Sequence, residues 1–307
     1  MKKVFIDGRS GTTGLKIYER LQSRKDIDFI TLSEEDRKSV EKRKEAVNFS
    51  DITFLCLPDD AAKEAVSFIE NPNTVIIDAS TAHRTNPEWL YGFPEVDKNF
   101  SEKIKSAKRV CVPGCHASGF IVLVKPLIDS GLLKKDARLS CTSLTGYSGG
   151  GKKMIAEYEG EEKNELLAYP RCYGIAQTHK HLKEMTFVSG IETPPAFMPI
   201  VAPFYSGMEV LVPIFKADLN GGKADVEKVL SEQYKGKIVS YSEENESGFL
   251  SAGCLSGKDK MLVSVFGNEE RLLLCARYDN LGKGASGAAV ECMNYLTGVS
   301  PEEGLIL

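Results

Sequence analysis

A chain of 307 residues exceeds the usual size of one hydrophobic core, so two domains are expected. The formal net charge of -4 and an isoelectric point near 5.8 offer no basic field for nucleic acid, and no apolar run approaches the ~20 residues of a membrane span. A cytoplasmic protein is expected, and its 8 cysteines, with no Cys-x-x-Cys pair, argue against a disulfide framework or a metal site.

In chain order, Lys3 to Ile6, Phe29 to Leu32, Ile52 to Leu57, Val75 to Asp78 and Arg109 to Val112 read as short strands, each followed by a loop. Thr13 to Ser23 and Asp59 to Ile69 carry apolar residues at helical spacing, and the mixed charges from Glu34 to Glu45 suit a solvated helix. This rhythm predicts a Rossmann-type parallel sheet with crossover helices on its faces. Ala117 to Ser130 is helical in period and stops at Gly131. Beyond it, Arg138 to Thr145, Met198 to Pro203, Met208 to Phe215, Lys260 to Phe266 and Arg271 to Arg277 predict a mostly antiparallel sheet, with a helix from Lys223 to Gln233. A last amphipathic helix runs from roughly Ala285 to Thr297. The expected class is α/β: a dinucleotide-binding domain at residues 1–114, to which 283–307 return, and an α+β catalytic and dimerisation domain at 115–282.

Directly after the first strand, Gly8-Arg9-Ser10-Gly11-Thr12-Thr13-Gly14 places three glycines where backbone amides at a helix start can approach a pyrophosphate. Gly8, Ser10, Gly11, Thr12, Thr13 and Gly14 are therefore candidate cofactor contacts. The second strand ends without the acid that binds the ribose of NAD; Ser33 and Arg37 follow instead and suit the 2′-phosphate of NADP(H). Ser33 as a helix cap and Arg37 as a surface charge is an equally good reading of those two positions.

Cys115, in Val112-Pro113-Gly114-Cys115-His116-Ala117-Ser118-Gly119, stands at the start of a helical stretch, where unpaired amides and the helix dipole lower a thiol pKa. The other cysteines sit mostly inside apolar runs. A thiolate beside a nicotinamide points to thioester chemistry, because a thioester accepts hydride far more readily than an acyl phosphate does. That chemistry needs an acid/base group. Of the four histidines, His116 neighbours Cys115 on a helix and is expected to point elsewhere, and His83 lies in a loop. His179-Lys180-His181 remains, with His181 taken as the acid/base and His179 as a substrate contact.

These motifs in this order resemble the short form of the N-acetyl-gamma-glutamyl-phosphate reductase family, in the aspartate-semialdehyde dehydrogenase superfamily. The resemblance covers nearly the whole chain. It is carried by the Gly8 to Gly14 loop, Asp78-Ala79-Ser80-Thr81-Ala82-His83-Arg84, Tyr91-Gly92-Phe93-Pro94-Glu95, Pro113-Gly114-Cys115, Gly146-Tyr147-Ser148-Gly149-Gly150-Gly151-Lys152, His179-Lys180-His181 and Asn280-Leu281-Gly282-Lys283-Gly284-Ala285-Ser286-Gly287. It implies Cys115 as acyl acceptor, His181 as acid/base, and Ser80 and Arg84 lining the substrate and phosphate region. It further implies Ser148, Gly149 and Lys152 in a substrate loop, and Gly284 near the nicotinamide. A homo-oligomer, dimer or tetramer, and inorganic phosphate as co-product are part of the same expectation. His-Ala-Ser after Cys115 fits the short form, whereas Lys180 and Lys183 stand where an arginine and a proline are often found.

Two rival readings have their own tests. An aspartate- or aminoadipate-type semialdehyde dehydrogenase would keep the site chemistry and change the semialdehyde. An NADPH-sensing regulatory protein would keep the glycine loop with no need for Cys115 and the paired histidines.

Overall fold

The computed structural model describes residues 1–307, which divide into two compact units: Met1–Gly114 with Ala285–Leu305, and Cys115–Gly284 with Ile306–Leu307. The first unit is built from β1 (Lys2–Asp7), α1 (Thr12–Leu21), β2 (Ile27–Ile30), α2 (Val40–Phe49), β3 (Ile52–Leu55), α3 (Asp59–Ser67), β4 (Val75–Asp78), β5 (Leu90–Tyr91), α4 (Phe100–Ser106) and β6 (Arg109–Cys111). Its strands form a six-stranded, wholly parallel sheet in the order β2-β1-β3-β4-β6-β5. Alternation along β1 explains both faces. Val4 and Ile6 join Ile17, Leu21, Phe54 and Ile104 on one side, while Phe5 joins Val47, Leu55 and Ala62 on the other. Burial on both faces is why the strands read as continuous apolar runs. The chain order reverses between β1 and β3, the switch point at which open α/β sheets bind ligands outside the carboxyl ends of their strands.

The second unit comprises α5 (Cys115–Asp129), β7 (Ser140–Gly146), α6 (Gly151–Glu159), β8 (Arg171–Cys172), α7 (His181–Ser189), β9 (Ala196–Ala202), β10 (Met208–Phe215), α8 (Lys223–Gln233), β11 (Val239–Tyr241), β12 (Met261–Gly267) and β13 (Arg271–Tyr278). The seven strands lie in the order β11-β12-β13-β10-β7-β9-β8. Pairs β7/β9 and β11/β12 are parallel and the other four antiparallel, giving a mixed sheet. Helix α5 packs against α7, α8, β10 and β13, and 12 of its 15 residues are buried, so its apolar character runs right round the helix. Pro126 interrupts α5 and cannot donate to the Val122 carbonyl four residues earlier; the Tyr234 hydroxyl at the end of α8 donates to that oxygen instead, at 2.7 Å.

The final helix, α9 (Gly287–Thr297), packs on α1, α4 and β4 and completes one face of the first unit's core. It begins two residues later than expected, because Gly282–Ser286 forms a π-helical turn before it. Strand β2 is likewise shifted toward the N-terminus. Its pairing with β1 runs from Lys2↔Ile27 to Phe5↔Ile30, which leaves Thr31 and Leu32 to the following loop. No helix is long and apolar enough to cross a membrane.

Candidate active site

In the first unit the glycine loop leaves β1 and enters α1. Gly8 has φ +83°, and a Cβ there would lie 2.3 Å from the Cys56 carbonyl oxygen; one on Gly14 would lie 2.6 Å from the Gly8 oxygen. The loop is closed by the Gly11 N–H donating to Gly8 O at 2.9 Å. Gly11 caps α1 without a side-chain bond, so the amides of the first turn, at Thr12 and Thr13, have no capping side chain competing for them. Only a backbone stripped of Cβ atoms packs this closely. The resulting amide-lined cradle fits the pyrophosphate of a dinucleotide.

At the end of β2 the expected residues make local contacts. Ser33 Oγ accepts from the Asp36 N–H at 3.0 Å and donates to the Asp36 carboxylate at 2.9 Å, and Arg37 pairs with Glu34. Arg9, which sequence reasoning did not single out, stacks over the Tyr18 ring at 3.5 Å and reaches Thr31 Oγ1 at 3.4 Å. The signal was present: a cation inside the glycine loop itself.

Buried Asp78, at the end of β4, organises the loop that follows. It accepts from Ser80 N–H and Ser80 Oγ, each at 2.8 Å, and its second oxygen lies 2.6 Å from His83 Nδ1. The His83 ring stacks on Trp89 with centroids 4.0 Å apart. Arg84 donates through Nε to Val112 O at 2.8 Å and through Nη2 to Ala79 O at 2.9 Å. Ser80 and Arg84 are thus rigidly held by the carboxyl ends of β4 and β6.

In the second unit Cys115 is the first residue of α5 and partly exposed. The next residue, His116, is buried and joins Ser143 of β7 (Nδ1 to Oγ, 2.6 Å) to Tyr173 (Nε2 to the hydroxyl, 2.6 Å). Burial, with His179 adding a smaller effect, pushes the His116 pKa down to about 3, so the ring is neutral. The Tyr173 phenol is pushed up, first by burial and then by the neighbouring Cys115. The His116 ring joins the paired histidines, its centroid 5.8 Å from that of His179 and 5.6 Å from that of His181. Both His116 nitrogens are hydrogen-bonded and burial suppresses its basicity, so the ring ties β7 to Tyr173 within the cluster.

The His179 and His181 rings are 4.8 Å apart and nearly perpendicular, because His181 opens α7 while His179 lies in the approach to it. The His181 N–H donates to His179 Nδ1 at 3.2 Å. That bond uses the lone pair of Nδ1, so a neutral His179 carries its proton on Nε2 and presents a donor. Burial, then the charge of Lys180, lowers the His179 pKa and favours this neutral form.

The expected substrate loop follows β7. Buried Ser148 Oγ accepts from Asn280 Nδ2 at 3.0 Å, and Gly149 lies beside the same amide, where a Cβ would come within 3.4 Å. Lys152 is exposed near the start of α6. Asn280 also accepts from the Gly207 N–H at 3.0 Å. Next to it, Asp279 accepts from Ser206 Oγ, Gly257 N, Leu281 N and Gly282 N at 2.6 to 2.9 Å, fixing the turn that leads to Gly284. Gly284 itself packs on Cys115, with 3.1 Å between a Cβ built there and the cysteine Cβ. Ser143, Tyr173 and Tyr278 were not singled out in the sequence, and Asn280 was noted only as the first residue of a motif; each acquires its place from contacts far along the chain. No group of three or more His, Cys, Asp or Glu is arranged to hold a metal ion.

The sequence profile of the semialdehyde dehydrogenase NAD binding domain matches residues 3–107, and that of the semialdehyde dehydrogenase dimerisation domain matches residues 115–280. Among curated proteins, the chain is 44% identical to the N-acetyl-gamma-glutamyl-phosphate reductase of Brucella ovis, over 96% of this chain and 99% of that one. It is 40% identical to N-acetyl-gamma-glutamyl-phosphate reductase 2 of Nostoc sp., over 99% of both. Among solved structures, aspartate semialdehyde dehydrogenase II of Vibrio cholerae, complexed with ASA, superposes with a TM-score of 0.74 at 18% identity, covering 97% of this chain and 98% of that one. The aspartate semialdehyde dehydrogenase of Candida albicans, solved with NADP, gives 0.67 at 13% identity, covering 97% and 100%. Those two likenesses establish the fold. The identities and the two profiles together establish that the chain belongs to the semialdehyde dehydrogenase family, among its N-acetyl-gamma-glutamyl-phosphate reductases.

Proposed function

We propose that the protein catalyses the NADPH-dependent reduction of N-acetyl-L-glutamyl 5-phosphate to N-acetyl-L-glutamate 5-semialdehyde, with release of inorganic phosphate, as a cytoplasmic homo-oligomer serving arginine biosynthesis. The observation that carries this reading is a thiol at the first residue of α5 in the same unit as three clustered imidazoles, of which His116 is bonded to a tyrosine neighbouring that thiol. Relatives 40 to 44% identical along nearly their whole length supply the substrate.

In this reading residues 1–114 with 283–307 bind the cofactor, and 115–282 carry catalysis and self-association. Gly8, Ser10, Gly11, Thr12, Thr13 and Gly14 hold the pyrophosphate. Ser33 and Arg37, joined by Arg9, take the 2′-phosphate, for which guanidinium forks are suited; Arg37 then exchanges its exposed partner Glu34 for the phosphate. Gly284 borders the nicotinamide. Ser80, Arg84, Ser148, Gly149, Lys152 and His179 contact the acyl phosphate, His179 as a neutral donor through Nε2.

The Cys115 sulfur, its proton passed to His181, attacks the acyl carbonyl; the new C–S bond replaces the C–O bond to phosphate, which departs with the electron pair. NADPH held at the glycine loop would supply a hydride to the thioester carbon, and the proton taken up by His181 would complete the hemithioacetal. Collapse of that intermediate breaks the C–S bond, returns the electron pair to Cys115 sulfur and releases the semialdehyde, with His181 managing the proton on the departing group. Incubating the protein with the acyl phosphate and no NADPH, then mapping peptides by mass spectrometry, tests residue and substrate class together. An N-acetylglutamyl adduct on Cys115 is expected. An unmodified Cys115 alongside normal turnover rejects the covalent mechanism.

A further inference from the structure

Tyr278, the last residue of β13, is completely buried, and its hydroxyl bonds both ends of the first turn of α5. It donates to the Cys115 carbonyl oxygen and accepts from the Gly119 N–H at 3.0 Å. These two groups, four residues apart, are the pair that an α-helix joins directly. A side chain 163 residues from Cys115 in sequence therefore bonds both groups of one rung in the turn that carries the thiol.

Two glycines make room for this contact. A Cβ on Gly119 would come within 2.6 Å of the Tyr278 hydroxyl and 2.4 Å of Val210 Cγ2, so any larger residue would drive the hydroxyl off the turn. A Cβ on Gly284 would meet the Cys115 Cβ at 3.1 Å and the Tyr278 ring at 3.4 Å. The Gly284 backbone thus lies between the cysteine and the phenol ring, closely against both, while the Cys115 carbonyl is fixed by the hydroxyl. Burial, with Cys115 as the second cause, keeps the phenol well above its ordinary pKa, so the group stays a neutral donor throughout the working range.

We propose that Tyr278 is a positioning residue for Cys115: the hydroxyl clasps the first turn of α5 and, with Gly119 giving it access, sets the attitude from which the sulfur attacks. The inference rests on Cys115 being the nucleophile. A clasp of this kind acts on geometry, and a misplacement of about 1 Å at a reacting atom costs on the order of 100-fold in rate.

The test uses the full-length protein with Tyr278→Phe and with 4-fluorophenylalanine at position 278, which fills the hydroxyl's volume without donating and so protects folding. Steady-state kinetics and the iodoacetamide alkylation rate of Cys115, followed by peptide mass spectrometry, are measured for both. Expected is a fall in kcat of about 10- to 100-fold with KM within about twofold, accompanied by an altered Cys115 alkylation rate and an unchanged rate at exposed Cys172. The inference is overturned if the folded variants keep kcat and Cys115 alkylation within about twofold of the parent, or if KM alone rises. Cys115→Ser measured alongside separates the two readings: its retaining turnover removes the nucleophile itself, whereas an inactive Cys115→Ser beside a fully active Tyr278→Phe removes only the clasp.

Discussion

The loop after β2 and the histidine cluster of the second unit hold polar side chains in opposite ways. Ser33 and Arg37 bond to Asp36 and Glu34, partners three positions distant and largely exposed. His116 draws on Ser143 and Tyr173, 27 and 57 residues away, inside a buried cluster. Short-range exposed pairs are worth little and exchange readily, which would suit the nucleotide-phosphate contact proposed for this loop. Long-range buried bonds are costly to break and fix one geometry, which suits chemistry.

The sharpest way to break this contrast lies at the thiol. Cys115→Ser is expected to lower kcat by more than about 10⁴-fold while NADPH binding, followed by fluorescence titration, persists; retained turnover would place the chemistry elsewhere. Next come the paired histidines. His181→Gln should reduce kcat by about 10²- to 10⁴-fold, whereas His179→Gln should act chiefly on KM for the acyl phosphate. An equal loss of kcat in both would dissolve the distinction drawn from the His179 Nδ1 bond.

Removing Ser143 Oγ tests the buried half of the comparison: Ser143→Ala should cost about 1–3 kcal/mol in urea denaturation by stranding His116 Nδ1. The pH dependence has a definite sign. The His116 pKa falls on folding, from 6.5 to about 3, so the unfolded chain binds the extra proton between those values. Its contribution to stability is whole above about pH 6.5 and is lost as pH drops toward 3. A His116→Gln protein should show a shallower acid limb, and an identical limb would assign acid sensitivity to other groups. The smallest effect belongs to the exposed side. Arg37→Ala should leave stability within ~0.5 kcal/mol and raise KM for NADPH several-fold without changing KM for NADH, as Ser33→Ala should to a lesser degree.

The same division explains what could be read from the sequence. Parallel strands buried on both faces announce themselves as apolar runs, and the Gly8 to Gly14 loop is spelled out by residues that must lack a Cβ. Cys115 stood out through its position at a helix start. Helices α4, α6 and α7 and strands β5, β8 and β11 escaped because each is short, none longer than nine residues. Two-residue β8 exists only through its pairing with β9. Tyr173, Ser143 and Tyr278 carry no local signature; a tyrosine at the end of a strand says nothing about a helix that begins 163 residues earlier. His116 was set aside as a base from its place beside Cys115 on a helix; what the sequence did not show is that β7, Tyr173 and the approach to α7 converge on its ring.

The proline in α5 has a consequence for assembly. During synthesis the helix that bears the thiol emerges with the Val122 carbonyl lacking its helical donor, and the hydroxyl that completes it arrives 112 residues later, at the end of α8. The central helix of the second unit is therefore finished by the chain that wraps it: its Cys115 turn by the docking of β13 and its Val122 carbonyl by that of α8. A truncated nascent chain ending before Tyr234 would carry Cys115 on a helix still lacking two of its fastenings.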